Sequence, residues 1–291
     1  MTGAVWAAAS GIGFGVFQSL NRRAVAQMDV EAATFLQLVI ATAVLLALAA
    51  ATGDLSALAD APARSLAYFA AGGLVHFFVG WTLLNASQKR IGAARTSPLI
   101  STAPMFGVAV AFVTLGEVPT ALAWAGIALI TAGAYAVGVA RVEGKRTIGW
   151  RDAAFGLGCA CAWAISPVLI RKGLDGFDRP LLGLTLGLAV SVLAYAAALA
   201  ARGTRAVVQA DALTFKLAAG VFVALSTWGR WAALDGAAVA VVLALSLLSV
   251  PVVLVLSPVV MGRHVERVTG WVWGGSTLIV AGSLLLVART L

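Results

Sequence analysis

Ten stretches of this chain run for about a bilayer's thickness each with almost no charge, and that pattern leaves few folds open. A membrane-crossing helix needs about 20 mostly apolar residues. The stretches are 3–20, 32–52, 66–86, 93–115, 119–140, 153–170, 180–201, 214–234, 238–261 and 268–288. Their apolar residues run continuously and do not alternate, which argues against a membrane β-barrel. A lipid-exposed backbone must close its hydrogen bonds within its own segment, so each stretch is expected to be a helix. The chain is 61% hydrophobic and 11% charged, where a soluble domain carries roughly 25% charged residues. Connections are short, the longest polar insert falling around Gly53–Arg64.

The chain reads as built twice. Ala93–Pro119 is an apolar segment interrupted by Pro104, and Ala240–Gly262 repeats the pattern with Pro251 in the matching place. Trp81 stands to Pro104 as Trp228 stands to Pro251. Gly126-Ile-Ala-Leu-Ile-Thr-Ala-Gly133 echoes Gly275-Ser-Thr-Leu-Ile-Val-Ala-Gly282, and Arg22-Arg23 after the first span matches Arg171-Lys172 after the sixth. The expected fold is therefore an all-α membrane protein of ten transmembrane helices, arranged as two five-helix repeats over residues 1–146 and 147–291. An odd number of helices inverts the second repeat relative to the first, and inverted repeats in a membrane point to alternating access around a midplane site.

Basic residues sit in short clusters between the apolar runs, so the net charge of +8 reads as membrane topology and not as nucleic-acid binding. The odd-numbered connections hold fourteen of the twenty Lys and Arg. The positive-inside rule then places those connections in the cytoplasm and both termini outside, in a bacterial inner membrane. Cys159 and Cys161 lie two apart in an apolar run and point to different sides of a helix, so no disulfide framework is expected.

The ten spans, the paired prolines, Leu115-Gly116-Glu117 before the fifth span and the Gly-x-x-Leu-Ile-x-Ala-Gly pattern resemble the drug/metabolite transporter superfamily, and within it the EamA branch, which includes amino-acid exporters. The second half departs from the pattern, with Met261-Gly262-Arg263 in place of Leu-Gly-Glu. The resemblance implies a transporter of small organic metabolites with a central cavity walled mainly by spans 1, 3, 4, 6, 8 and 9. Many members of the superfamily hold both termini in the cytoplasm, whereas the charge count here puts them outside. Related small multidrug antiporters depend on an acid inside the first span, which this chain lacks, so exchange of cationic drugs is disfavoured.

Polar groups at membrane depth are expensive and mark candidate sites. His76 sits mid-span with Gly72 and Gly80 four residues to either side, a small-residue face on which another helix or a substrate can come close. Its imidazole titrates near neutrality and is the candidate for proton coupling, for hydrogen-bonding a substrate, or for bonding a neighbouring helix. Ser10, Phe14, Gln18 and Asn21 share one face of the first span, with Gln18 and Asn21 as substrate candidates and helix glue as the alternative. Trp163 lies too deep for an interfacial belt and is expected to line the cavity, whereas Trp81 and Trp228, nearer span ends, are candidates for substrate contact or for the belt alike. Ser97, Ser101, Ser246 and Ser249 flank the two prolines, as ligands or as partners of carbonyls that the prolines free. Pro104, Pro251, Gly72 and Gly80 are the expected hinge and gating positions. Arg230, between Trp228 and Trp231, either snorkels to the interface or clamps a substrate carboxylate. Gln37 is an isolated amide better read as glue, and Glu117 stands at a span boundary.

Absences narrow the reading further. No Walker A pattern is present, so ATP does not drive transport through this chain. One mid-span His makes no metal site, and no cofactor is expected. An enzyme would need a nucleophile and base together at depth, and His76 has no such companion in sequence. A non-transporting scaffold is the other class kept open. The expected function is export of small neutral or zwitterionic metabolites, amino acids with large apolar or aromatic side chains first and nucleobases second. The expected partners are the substrate and the lipid bilayer, with the protein acting as a monomer or weak homodimer. A cysteine placed in the loop at Glu143–Thr147 is expected to resist an impermeant thiol reagent added to intact cells; ready labelling would reverse the orientation.

Overall fold

The computed structural model describes residues 2–115, 120–139, 149–202, 210–236, 242 and 245–288. Glu117 and the 143–147 loop lie outside them. The elements are α1 Thr2–Ala26, α2 Val30–Ala51, a 3-10 segment Asp54–Asp60, α3 Ala63–Gly73, a π-helical segment Leu74–Gly80, α4 Trp81–Ile91, α5 Ala93–Ile100, α6 Ala103–Leu115, α7 Ala121–Val139, α8 Trp150–Leu174, α9 Pro180–Arg202, α10 Ala210–Gly236, α11 Ser249–Met261 and α12 Gly270–Ala288. Among the described residues, six helices are long and apolar enough to cross a membrane: Gly3–Ala26, Val30–Ala51, Ala63–Ile91, Trp150–Leu174, Pro180–Arg202 and Ala212–Ala233. Ala121–Val137, Ser249–Met261 and Gly270–Leu286 are apolar but shorter. The expected third span is the composite Ala63–Ile91, five residues longer at its C-terminal end than its hydropathy suggested.

Local chemistry sets the ends of these helices. Asp29 precedes α2 in extended conformation, and Glu31 in the first turn meets the positive end of the helix dipole. Lys89 and Arg90 occupy the last turn of α4. Gly92 then takes φ 84°, a left-handed value that suits glycine, and turns the chain into α5. The expected fourth span is two helices, parted by a turn at Ser101–Thr102 just before Pro104. Pro104 has no N–H to give to the carbonyl one turn back, which stops the helix from running through. Polar side chains take up the slack. The Ser101 hydroxyl donates to the Ser97 carbonyl at 2.9 Å, Thr102 to that of Leu99 at 2.7 Å, and Ser283 of α12 to that of Ser101 at 3.0 Å. In the second half a turn at Leu247–Leu248 likewise precedes α11 and Pro251. Both prolines expected as hinges thus follow a break in the backbone.

Aromatic and aliphatic side chains of α1 to α4 and α8 to α10 build the main core, with Phe17, Leu45, Phe69, Phe77, Trp81 and Leu184 fully buried. The duplicated glycine motif does its packing against itself. A Cβ on Gly133 would stand 2.5 Å from the Gly275 carbonyl oxygen, and one on Gly126 would stand 2.9 Å from that of Gly282. The pairs 126 with 282 and 133 with 275 run in opposite chain directions, so α7 and α12 lie antiparallel at backbone contact.

The cations expected in connections are in part internal. Arg22 in α1, Arg95 in α5 and Lys216 in α10 are buried: α1 runs on to Ala26, and Arg95 and Lys216 stand two residues inside the starts of their apolar runs, already on a helix. Only loop charges are read by the positive-inside rule. With Arg230 of α10 set aside as well, the bias of the remainder, eleven against five, keeps its direction.

Gly275 and Gly274 are neighbours on α12 with opposite surroundings. The Gly275 position meets the backbone and Val137 of α7, and the Gly274 position meets open space. Gly275→Ala is expected to lower stability by about 1–3 kcal/mol through overpacking. Gly274→Ala is expected to be neutral or to add up to about 1 kcal/mol from helix propensity. Thermal unfolding in detergent compares the two; equal midpoints would remove the α7–α12 contact from the account.

Candidate functional site

The composite span Ala63–Ile91 meets α8 in antiparallel register. Gly72 faces Ile170, His76 faces Ser166, and Gly80 faces Trp163. The two glycines expected as a small-residue stripe are what let α8 approach, since a Cβ on Gly80 would stand 2.5 Å from the Trp163 indole nitrogen. Between them the backbone widens into the π-helical turn Leu74–Gly80. Such turns are rare and often occur at functional sites, because they redirect side chains and leave carbonyls for outside donors. Here the Trp163 Nε1–H donates to the carbonyl of His76 at 3.2 Å.

His76 and Trp163, the two leading candidates of the sequence, are thereby joined. Their rings stack at 5.3 Å between centroids and 14° between planes. His76 Nδ1 shares a hydrogen bond of 2.8 Å with the buried Ser166 hydroxyl. Phe77 closes one side at 4.7 Å, and Phe14 of α1 meets the far side of the cluster, edge-on to Trp163 at 5.6 Å. Pro167 lies one turn beyond Trp163 and cannot donate to the Trp163 carbonyl, so α8 is also locally incomplete at this depth.

Arg230 of α10 lies within electrostatic range of His76. Its side chain is half-buried and makes no hydrogen bond or ion pair among the described residues. A guanidinium carries five donors and no acceptor and keeps its charge in proteins. Next to it Trp228 packs edge-on against Trp6 at 5.3 Å. The combination is an aromatic and imidazole wall with one uncommitted cation, suited to an anion attached to an apolar or planar body.

The other expected residues fall in separate places. Gln18 donates to the Ser97 hydroxyl at 3.3 Å, one turn along α1 from Phe14, and its buried Oε1 has no partner. Ser246 donates to the carbonyl of Val242, four residues earlier, at 2.7 Å, and Ser249 is buried at the start of α11. Trp81 is sealed in the core, edge-on to Phe77 at 4.9 Å. Asn21 is drawn away into a second polar cluster, where its Nδ2 donates to Asn85 and Gln88 of α4 and its Oδ1 accepts from Lys216. The first-span face of Ser10, Phe14, Gln18 and Asn21 therefore meets a different neighbour at each turn.

Three participants escaped the sequence reading. Ser166 carries no signal beyond lying three residues after Trp163 on a helix. Lys216 looked like a boundary charge, yet α10 begins at Ala210, two turns earlier. Glu266 looked like a loop acid, yet it is buried, accepts the Ala94 N–H at the start of α5 at 2.6 Å and pairs with Arg22 at 3.2 Å.

None of the curated proteins compared matches the chain. One solved crystal structure covers 97% of this chain and 98% of its own, with a TM-score of 0.62 and 19% identity, a likeness that speaks for the fold alone. Residues 1–139, the first half with its His76 span and first broken helix, match the model of the EamA-like transporter family.

Proposed function

We propose that this protein is a secondary transporter that exports small neutral or zwitterionic metabolites across the bacterial inner membrane, amino acids with large apolar or aromatic side chains in the first place. The observation that carries the reading is Arg230, a half-buried guanidinium with no anion of its own among the described residues, within electrostatic range of the His76–Trp163–Phe14 cluster. An amino acid supplies what the site lacks. Its carboxylate neutralises Arg230, and its side chain lies against the aromatic wall. The family match over residues 1–139 supports a transporter of small metabolites. The antiparallel glycine contacts of α7 and α12, each made by one copy of a duplicated motif, support two inverted five-helix halves. Breaks before Pro104 and Pro251 supply hinges for alternating access. A scaffold would have no reason to keep a cation unpaired at this depth.

A second reading rests on the near-parallel His76 and Trp163 rings. Such a wall also suits a planar nucleobase, which needs no cationic partner.

Counterflow of labelled phenylalanine into liposomes holding only this protein tests the reading, with unlabelled leucine, tryptophan and uracil as competitors. Uptake competed by the amino acids is the expected result, and uptake competed by uracil alone would favour the nucleobase. Arg230→Gln is expected to raise the half-saturation concentration about 10- to 100-fold, the worth of a charge-assisted hydrogen bond at roughly 1.5–3 kcal/mol. Phenylalaninol, which lacks the carboxylate, should compete equally well in both proteins. Equal loss of phenylalanine and phenylalaninol would assign Arg230 to structure.

A further inference from the structure

Away from the aromatic cluster, four helices meet around one buried cation. Lys216 of α10 is 0% exposed, about four turns and roughly 21 Å along the helix from Arg230. Its ammonium donates to Asn21 Oδ1 of α1 at 2.5 Å and to Gln37 Oε1 of α2 at 2.8 Å. Asn21 Nδ2 donates to Asn85 Oδ1 and Gln88 Oε1 of α4 at 2.7 Å each. Asn85 Nδ2 in turn reaches Thr34 at 2.8 Å and Gln37 at 3.4 Å. Every amide oxygen of the cluster is engaged.

The cluster nevertheless has too many donors. The amide nitrogens of Gln37 and Gln88 are buried with no partner. An ammonium brings three donors and no acceptor, and an unmet buried donor costs about 1–3 kcal/mol. Removing one proton from Lys216 supplies the missing acceptor. Rotating the Gln37 carboxamide by half a turn would then aim its N–H at the neutral amine. The neutral amine with that rotation thus gives the Gln37 N–H an acceptor that the ammonium cannot supply.

No carboxylate bonds Lys216 among the described residues. From α1, Arg22 is taken by Glu266, and Arg23 lies 4.8 Å over the ring of Phe215 beside Lys216. From α2 and α9, Glu31 and Arg202 pair with each other. The charges around the cluster are therefore committed elsewhere or of the same sign. Solvent comes close on one side, where a surface depression lined by Asp29, Val30, Glu31, Ala86, Lys89 and Arg90 opens over the ends of α2 and α4. The repeat offset that relates Trp81 to Trp228 also relates Phe69 to Lys216. Phe69 packs its ring on Gly173 and Gly183, so the matching layer of the first half is closed by an apolar side chain alone.

We propose that Lys216 is the proton-binding site of this transporter, with Asn21, Gln37 and Gln88 as the amides that accommodate its two charge states. Protonated Lys216 draws α1 and α2 onto α10 by charge-assisted hydrogen bonds. Loss of the proton removes that pull and releases α10. The proposal rests on the transport reading above and moves coupling from His76 to the far end of α10.

Labelled phenylalanine in liposomes decides it, measured as counterflow without a gradient and as accumulation under an imposed pH gradient. Lys216→Met keeps the length of the side chain and removes the proton site; Lys216→Arg keeps the charge and cannot release it. Both variants are expected to retain counterflow and to lose the gradient response, accumulation falling to the level without a gradient. Phenylalanine added to the purified protein in weakly buffered detergent should displace protons from the unsubstituted protein and from neither variant. Counterflow with an intact gradient response in either variant overturns the proposal, as does undiminished proton release. If Lys216→Met does not fold, Lys216→Arg carries the same two readings. Absence of counterflow in the unsubstituted protein would instead overturn the transport reading and this proposal with it.

Discussion

Every backbone and side-chain polar group at membrane depth must find its partner inside the bundle, because hydrocarbon offers none. That demand explains most of what is irregular here. The helix breaks before Pro104 and Pro251 are tolerable because Ser101, Thr102 and Ser283 take up carbonyls at the first of them. The π-helical turn at His76 is tolerable because an indole N–H from α8 reaches the His76 carbonyl. Glu266 is buried because it can satisfy both an N–H at the start of α5 and the guanidinium of Arg22. At the first break and at the π-helical turn a neighbouring helix has been recruited to the irregular backbone.

The same demand makes the unsatisfied groups informative. Arg230 and the amide nitrogens of Gln37 and Gln88 stand out against a background in which partners are found. Arg230 lacks an anion beside an aromatic wall; the Lys216 cluster lacks an acceptor beside a solvent-open depression. They lie at different depths of one helix. A shift of α10 against α1 would change both together, which is the arrangement a coupled carrier needs, since a ligand acts on an equilibrium only through its differential affinity for the two states.

Much of this was open to reading before any coordinates. Gly72, His76 and Gly80 at four-residue spacing announced a face made for close approach, and α8 lies on it. Trp163 was too deep in its span for a belt residue, and it stacks on His76. The duplicated Gly-x-x-Leu-Ile-x-Ala-Gly pattern marked two equivalent helices, and the structure packs them on one another through those glycines. Periodicity carried these cases because each depends on one helix and its immediate neighbour. Lys216 was counted with the connection charges, because it stands two residues from the start of its apolar run and hydropathy marks where lipid contact ends and not where the helix does. A polar residue buried among other polar residues leaves no gap in a hydropathy pattern that already expects a connection there.

What the sequence alone determined is the class of structure: apolar runs of bilayer length must be helices, and each proline within them must leave a carbonyl one turn back without its backbone partner. These follow from local sterics and from the cost of unpaired backbone in lipid, which no tertiary arrangement can waive. Only the tertiary structure decided which polar groups share a cluster. It placed Gln18 on Ser97, Asn21 on Lys216 and Ser166 on His76 across sequence separations of 79, 195 and 90 residues. It also left Arg230 without a hydrogen bond or ion pair among the described residues. Whether a buried charge is neutralised, shared or kept free depends on which side chains the packing brings within hydrogen-bond reach, and a single helix's pattern holds no record of its neighbours.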